Sequence, residues 1–182
     1  MTAATPDEGD VQRVAEVLNV LAIDPGTTHS GFAVINTNDC RPIEVGKVPN
    51  DVLRARLSRG SDGSRFHSCG IDVVAIEMIS SYGMAVGREV FETVVWVGRY
   101  LELAGDQGRL VYRRDVKQHL CGTSKAKDAN IIQALIDRFA SGQPNRGKGT
   151  KTAPGFFYGF RADIWQAMAL AVTVADDVEG RS

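Results

Sequence analysis

Residues 21–35 read LAIDPGTTHSGFAVI, two apolar runs joined by a turn that opens on an aspartate. The first run ends at Asp24, Pro25 and Gly26 turn the chain, and the second run resumes within a few residues. A link this short favours an antiparallel pair of strands over a helical crossover. A carboxylate at the last position of a buried strand is costly to desolvate. It requires hydrogen bonds, a proton, a cation or access to solvent. That requirement makes Asp24 the first candidate functional residue.

Working outward, the apolar pattern predicts strands over 19–24, 30–36 and about 42–48, then a helix over 50–57. A Ser- and Gly-rich loop follows over 58–70. DVVAIEMI (72–79) is a strongly apolar strand of the kind covered on both faces. A long helix over 84–104 is predicted from the spacing of Val86, Val90, Phe91, Val94, Val97 and Leu101. A short strand over 109–113 precedes a helical turn over 115–122 that Gly122 closes. Ser124 is placed to cap an amphipathic helix over 124–139. The segment 141–155 is a polar loop, and 161–176 is a very apolar last helix. Val11, Val14, Ala15 and Leu18 share a face and predict a turn or two of helix over 11–18. This order predicts one mixed-sheet α/β domain.

The 182 residues suffice for one domain with a substantial core. Hydrophobic and charged fractions of 43% and 24% are those of an ordinary globular protein. No apolar stretch reaches spanning length, and the acidic start MTAATPDEGD is unlike a signal peptide, so a cytoplasmic location is expected. Cys40, Cys69 and Cys121 form an odd set without C-x-x-C spacing, which predicts reduced thiols. A net charge of −1 conceals a marked asymmetry: residues 109–161 hold eleven Lys and Arg against three acids, Asp115, Asp128 and Asp137. Such a basic segment suits either a polyanion-facing surface or a set of solvated helix faces.

Two strands carry an acid near the C-terminal end behind an apolar run, Asp24 after VLAI and Glu77 after VVAI. If those strands are parallel neighbours, both carboxylates share one edge of the sheet, where ligand sites of α/β proteins tend to lie. Two such charges a few ångströms apart raise one another's pKa unless a cation intervenes, and a hard divalent ion suits oxygen ligands. Asp163, in the first turn of the last helix, can reach the same edge if that helix packs flat on the sheet. Each acid alone has an ordinary explanation as a turn cap, a strand-end residue or an acid favoured by the helix dipole. Their convergence is what argues for function.

Four ordered blocks resemble the RuvC-type Holliday junction resolvases of the RNase H-like superfamily, and the long insertion at 141–160 with the acidic N-terminus looks closer to phage-encoded members than to the bacterial housekeeping type. IDPGTTHSGFAVI looks like the family's first-strand motif, and VVAIEMI like its strand bearing the catalytic Glu. YRRDVKQHLCGTSKAKDANIIQAL is similar to its Tyr and Val-Lys-Gln segment followed by a glycine and a lysine-bearing helix start. ADIWQAMALAV is similar to its acid-bearing last helix. The resemblance implies an RNase H-like α/β fold, a five-stranded mixed sheet with three antiparallel strands then two parallel, flanked by helices. That domain spans 19–178, with a flexible extension over 1–18, a basic loop over 141–158 and a tail over 179–182.

The resemblance also implies a divalent-metal-dependent endonuclease that resolves four-way DNA junctions by paired symmetric nicks, as a homodimer. Asp24, Glu77 and Asp163 are implied as ligands of two Mg²⁺ per site, with Mn²⁺ able to substitute. Where the family often carries a further acid one helical turn after the third, this chain has Gln166, which bears no charge. Asp115 is a nearby acid that offers a replacement. Lys117 and Lys127 match family lysines that offset phosphate charge. Arg113, Arg114, Lys125, Arg146, Lys148 and Lys151 are candidate DNA phosphate contacts. Tyr82 lies close to where the family inserts an aromatic wedge at a strand junction. Long helix 84–104 offers a dimer face unless its apolar residues are covered within one chain.

Other readings stay open at this point. Flap or fork nucleases share the chemistry, and Gln166 leaves room for a catalytically silent binder of branched DNA. D-x-G-T-T also occurs in actin-like sugar kinases, but those need two such domains and a longer chain. GQPNRGKG (142–149) has P-loop spacing without the closing Ser or Thr and follows a helix, so it reads as a mobile basic loop. His67 with Cys69 and His119 with Cys121 lack a zinc-binding framework. Trp96 and Trp165 are expected in the core.

Overall fold

Alternating side chains of the first strands supply both faces of a single sheet. The computed structural model describes residues 16–58, 70–81, 83 and 85–181. Strands β1 (Asn19–Asp24), β2 (His29–Asn36) and β3 (Pro42–Pro49) form an antiparallel meander, followed by helix α1 (Asn50–Ser58). β4 (Val73–Met78) then pairs parallel to β1, and β5 (Gly108–Tyr112) parallel to β4, which gives the order β3-β2-β1-β4-β5. Between those last two strands runs helix α2 (Arg88–Ala104). Helices α3 (Arg113–Cys121), α4 (Asp128–Phe139) and α5 (Ala162–Val178) complete the chain. The mixed sheet flanked by helices is thus the one expected.

The period of two along the strands sorts their side chains into two cores. Leu21, Ile23, Val74 and Ile76 face α1 and α2, packing on Leu53, Val97 and Tyr100. Val20, Ala22, Val73 and Ala75 face the other way, onto α3, α4 and above all α5. From Ala167 to Val172 every residue of α5 is buried, so this helix lies flat on the sheet as its composition predicts. Its far end is fixed by Asp176, 1% exposed in its side chain. Arg138 of α4 donates two hydrogen bonds to that carboxylate (2.5 and 2.7 Å), and Arg181 adds one at 3.1 Å. His119 Nε2 of α3 lies 2.8 Å from it. Burial alone would raise the Asp176 pKa, but these hydrogen bonds outweigh it and hold the group at about 2.

Several boundaries differ from expectation. α2 begins at Arg88 because Gly87 is extended (φ −79°, ψ 171°). Ser124 does not cap α4: the chain turns at Thr123, and the cap position is Lys127, whose N–H donates to Asn130 Oδ1 (2.9 Å). Arg113 opens a helix rather than ending a strand. Of the turn predicted over 11–18, only 16–18 are described, and they are irregular. The 141–155 segment is fastened by a tight turn over Pro144–Gly147, in which Asn145 and Arg146 are left-handed (φ 53° and 55°), and by a Gly149–Pro154 bridge, with Phe157 buried behind it. Trp165 is a core residue, whereas Trp96 is half-buried beneath the Arg99 guanidinium, 4.5 Å from the ring centre. Among the described residues no helix is long and apolar enough to cross a membrane.

Candidate active site

Strand register assembles the site. Ile23 pairs with Ile76, so Asp24 and Glu77 occupy the next level of two adjacent parallel strands. Across the antiparallel side, Asp24 pairs with Gly31 and Gly31 with Lys47. Glu77, Asp24, Gly31 and Lys47 therefore form one row across four strands. Because Ala22 and Ala75 face α5, the acids two residues further on face it too. α5 closes the arrangement from above. A Cβ on Gly31 would stand 2.8 Å from the Asp163 carbonyl oxygen, so only glycine lets the first turn of α5 descend this far. Asp163 thereby joins Asp24 around a recess of about 280 Å³, together with Pro25, Thr27, His29 and Lys47.

The Pro-Gly turn is held from beneath by a buried polar network. Asn50, at the start of α1, donates through Nδ2 to the Gly26 carbonyl (2.9 Å) and accepts from the Ser30 hydroxyl (2.7 Å). The Tyr100 hydroxyl lies 3.1 Å from Ser30 Oγ. Gly26 is required here, since a Cβ would come within 2.5 Å of the His29 carbonyl oxygen.

Burial, then the charge of Glu77 and that of Asp163, raise the Asp24 pKa to about 7 against the opposing charges of Arg113 and Lys47. Glu77 is also raised, chiefly by burial, although Arg113 and Lys117 pull it down. Two cations share these carboxylates. Lys47 pairs with Asp163, and Arg113 reaches Glu77 at 3.2 Å while its other nitrogen holds Asp128 at 2.8 Å. Among the described residues, no three His, Cys, Asp or Glu side chains stand close enough together to form a ready-made ion cage. One turn along α5 from Asp163, the Gln166 Oε1 atom is buried without a hydrogen-bond partner among the described residues.

The remaining expected residues fall into three groups. Lys117 is half-buried on α3 and acts on Glu77. Arg114, Lys125, Lys127, Arg146 and Lys151 are exposed and Lys148 is partly so, whereas Arg113 is engaged by two carboxylates. Asp115 does not line the recess. It pairs with Arg114 and borders a different cavity with His119 and Asp177, at the opposite end of α5. Tyr82, His67 and Cys69 lie outside the described residues. His119 is committed to Asp176, and Cys121 is a half-buried free thiol. Sequence reading missed Lys47, and its only signal is the β2–β3 register.

A β3-β2-β1-β4-β5 mixed sheet flanked by helices is the RNase H-like fold, here with acids at the ends of its two central parallel strands and at the head of a covering helix. No protein-family model matches the chain. It is 30% identical over 168 residues to the crossover junction endodeoxyribonuclease RuvC of Corynebacterium glutamicum, covering 86% of this chain and 69% of that protein. The RuvC protein of Corynebacterium efficiens is 32% identical over the same length, with 86% and 68% covered. The chain belongs to the RuvC family of endodeoxyribonucleases, which depend on divalent metal. The Thermus thermophilus RuvC structure matches with a TM-score of 0.61 at 19% identity, over 90% of this chain and 97% of that one. The same protein in complex with a Holliday junction substrate matches at 0.62 and 20%, over 90% and 96%. At those identities the likeness shows the fold.

Proposed function

We propose that this chain is a divalent-metal-dependent endonuclease that resolves Holliday junctions by paired nicks, with Asp24, Glu77 and Asp163 as its metal ligands. The observation that carries the site is the single row of Glu77, Asp24 and Gly31 with Asp163 seated over the glycine. In the metal-free chain Lys47 and Arg113 compensate these carboxylates, the part that a divalent cation would take. The buried, unpartnered Gln166 oxygen fits the same reading, since a carbonyl oxygen one turn from Asp163 suits a hard cation or its bound water.

Asp24, Glu77 and Asp163 would hold the Mg²⁺ ions, two on this reading, which would supply Lewis-acid charge to the scissile phosphate and lower the pKa of a bound water. The chain's own groups do the rest. Asp24 and Glu77 fix the floor of the site on rigid strands, and Asp163 completes it from α5. Lys117 adds positive charge beside Glu77, where phosphate charge develops. Arg114, Lys125, Lys127, Lys148 and Lys151 are phosphate contacts that position DNA without reading sequence. Arg113 orders Glu77 against the head of α4 rather than meeting DNA directly.

Two simultaneous nicks require two sites a fixed distance apart, which a C2 dimer provides. The support for a homodimer is α2, which turns Val97 and Tyr100 inward but leaves Phe91 62% and Val95 53% exposed. The test is cleavage of labelled four-way junction, fork, flap and linear duplex in Mg²⁺ and in EDTA. Symmetric cuts in the junction alone, absent in EDTA and lost in Asp24→Asn and Glu77→Gln, are expected. Equal cutting of flaps or forks assigns a broader specificity, and binding without cleavage in Mg²⁺ or Mn²⁺ assigns a silent binder.

A further inference from the structure

Lys47 separates two openings. On one side lies the recess of Asp24 and Asp163; on the other a cleft of about 570 Å³ runs over β3, lined by Val45, Gly159 and Arg161. His29, Lys47 and Asp163 border both, so the two form one groove with the Lys47–Asp163 ion pair standing across it. Arg161, exposed at the head of α5, has no carboxylate partner among the described residues. The cleft therefore offers one uncommitted cation and a second that is committed only to a candidate metal ligand. A divalent ion on Asp163 and the Lys47 ammonium repel each other at contact range. The lysine's flexible four-carbon stem allows its charge to move several ångströms without moving the strand.

We infer that Lys47 serves two anions in turn: it is the resident counter-cation of Asp163 in the metal-free protein, and when freed it joins Arg161 as a phosphate ligand in the β3-side cleft. The phosphate is that of the DNA strand beside the scissile bond, so this half of the inference rests on the nuclease reading above. Lys47 thereby couples metal occupancy to DNA grip. The strand is held tightly in this cleft only when the metal ligands are engaged.

The two halves are tested separately on the full-length protein. Free Mn²⁺ counted by electron paramagnetic resonance, without DNA, measures metal affinity. Lys47→Met should bind Mn²⁺ roughly fivefold more tightly than wild type, the effect of removing one exposed ion pair, and Lys47→Arg should match wild type. Equal or weaker binding by Lys47→Met overturns the counter-cation role. Junction affinity is then measured in Ca²⁺ and in EDTA. Lys47→Met should lose affinity on the order of fivefold in Ca²⁺ but not in EDTA, with Lys47→Arg restoring it. Arg161→Ala should lose affinity in both, with a salt slope smaller by about one. Equal loss by Lys47→Met in both conditions, or loss in neither, overturns the coupling. Failure of wild type to bind any junction overturns the nuclease reading and the cleft's assignment with it, while the Mn²⁺ titration still decides the first half.

Discussion

Asp24 is under two opposed demands, one from folding and one from chemistry. In the folded, metal-free protein its pKa is about 7, whereas an unfolded aspartate titrates near ~3.9. Between those values the folded state keeps a proton that the unfolded chain has released. The site's contribution to stability is therefore full below about pH 4 and is lost as pH rises through about 7. Asp24→Asn removes this dependence. In EDTA at pH 8 it should melt above wild type by on the order of 10 °C, with the gap closing toward pH 4, as followed by circular dichroism. Its cleavage should fall roughly a hundredfold or more. Gln166 presents the converse case. Its buried oxygen lacks a partner, and it shares a helix face with Asp163 three residues earlier. Gln166→Asp should lower the Mg²⁺ concentration for half-maximal cleavage on the order of tenfold, and Gln166→Leu should raise it, both read from metal titrations of the cleavage rate.

Among elements, α5 and β2 decide whether the acids meet. Their approach depends on Gly31, where any Cβ collides with backbone of Asp163 rather than with a side chain that can swing away. Gly31→Ala should cost about 1–3 kcal/mol in thermal or urea unfolding and, by lifting the head of α5, reduce cleavage more than the stability loss explains. β1, β2, β4 and α5 were legible in the sequence because apolar runs bounded by turn residues are local signals. Asp24, Glu77 and Asp163 stood out for the same reason, as charges interrupting such runs. Lys47 did not, because its position depends on pairing between β2 and β3, and nothing local distinguishes it from any exposed strand lysine. The start of α2 was misplaced because Val86 keeps the helical period while the extended Gly87 breaks the helix. Asp115 suggested itself by proximity in sequence, but α3 carries it to the opposite end of α5 from Asp163.

Across the whole molecule, the sheet separates two surfaces with different tasks. The basic segment folds as α3, α4 and the following loop on the α5 side, fastened through Asp176 at the far end of α5 and meeting the acids at Arg113, which pairs with Glu77. The opposite side carries α1 and α2, and there Phe91, Val94 and Val95 leave an apolar strip on the outer face of α2. On the proposed reading, DNA on one side and an apolar strip on the other would let two copies associate without masking either site. In the proposed dimer, paired nicking would depend on α2, which carries none of the proposed metal ligands. Replacing Phe91 and Val95 together with Glu, both exposed, should spare the fold. It should shift the mass in light scattering from twice 19.7 kDa to 19.7 kDa. On a junction carried by a supercoiled plasmid, the wild type should release linear product in one binding event, whereas the double variant should accumulate singly nicked circles. A wild-type mass of 19.7 kDa with coupled cuts would remove α2 from this role and require both incisions from one site.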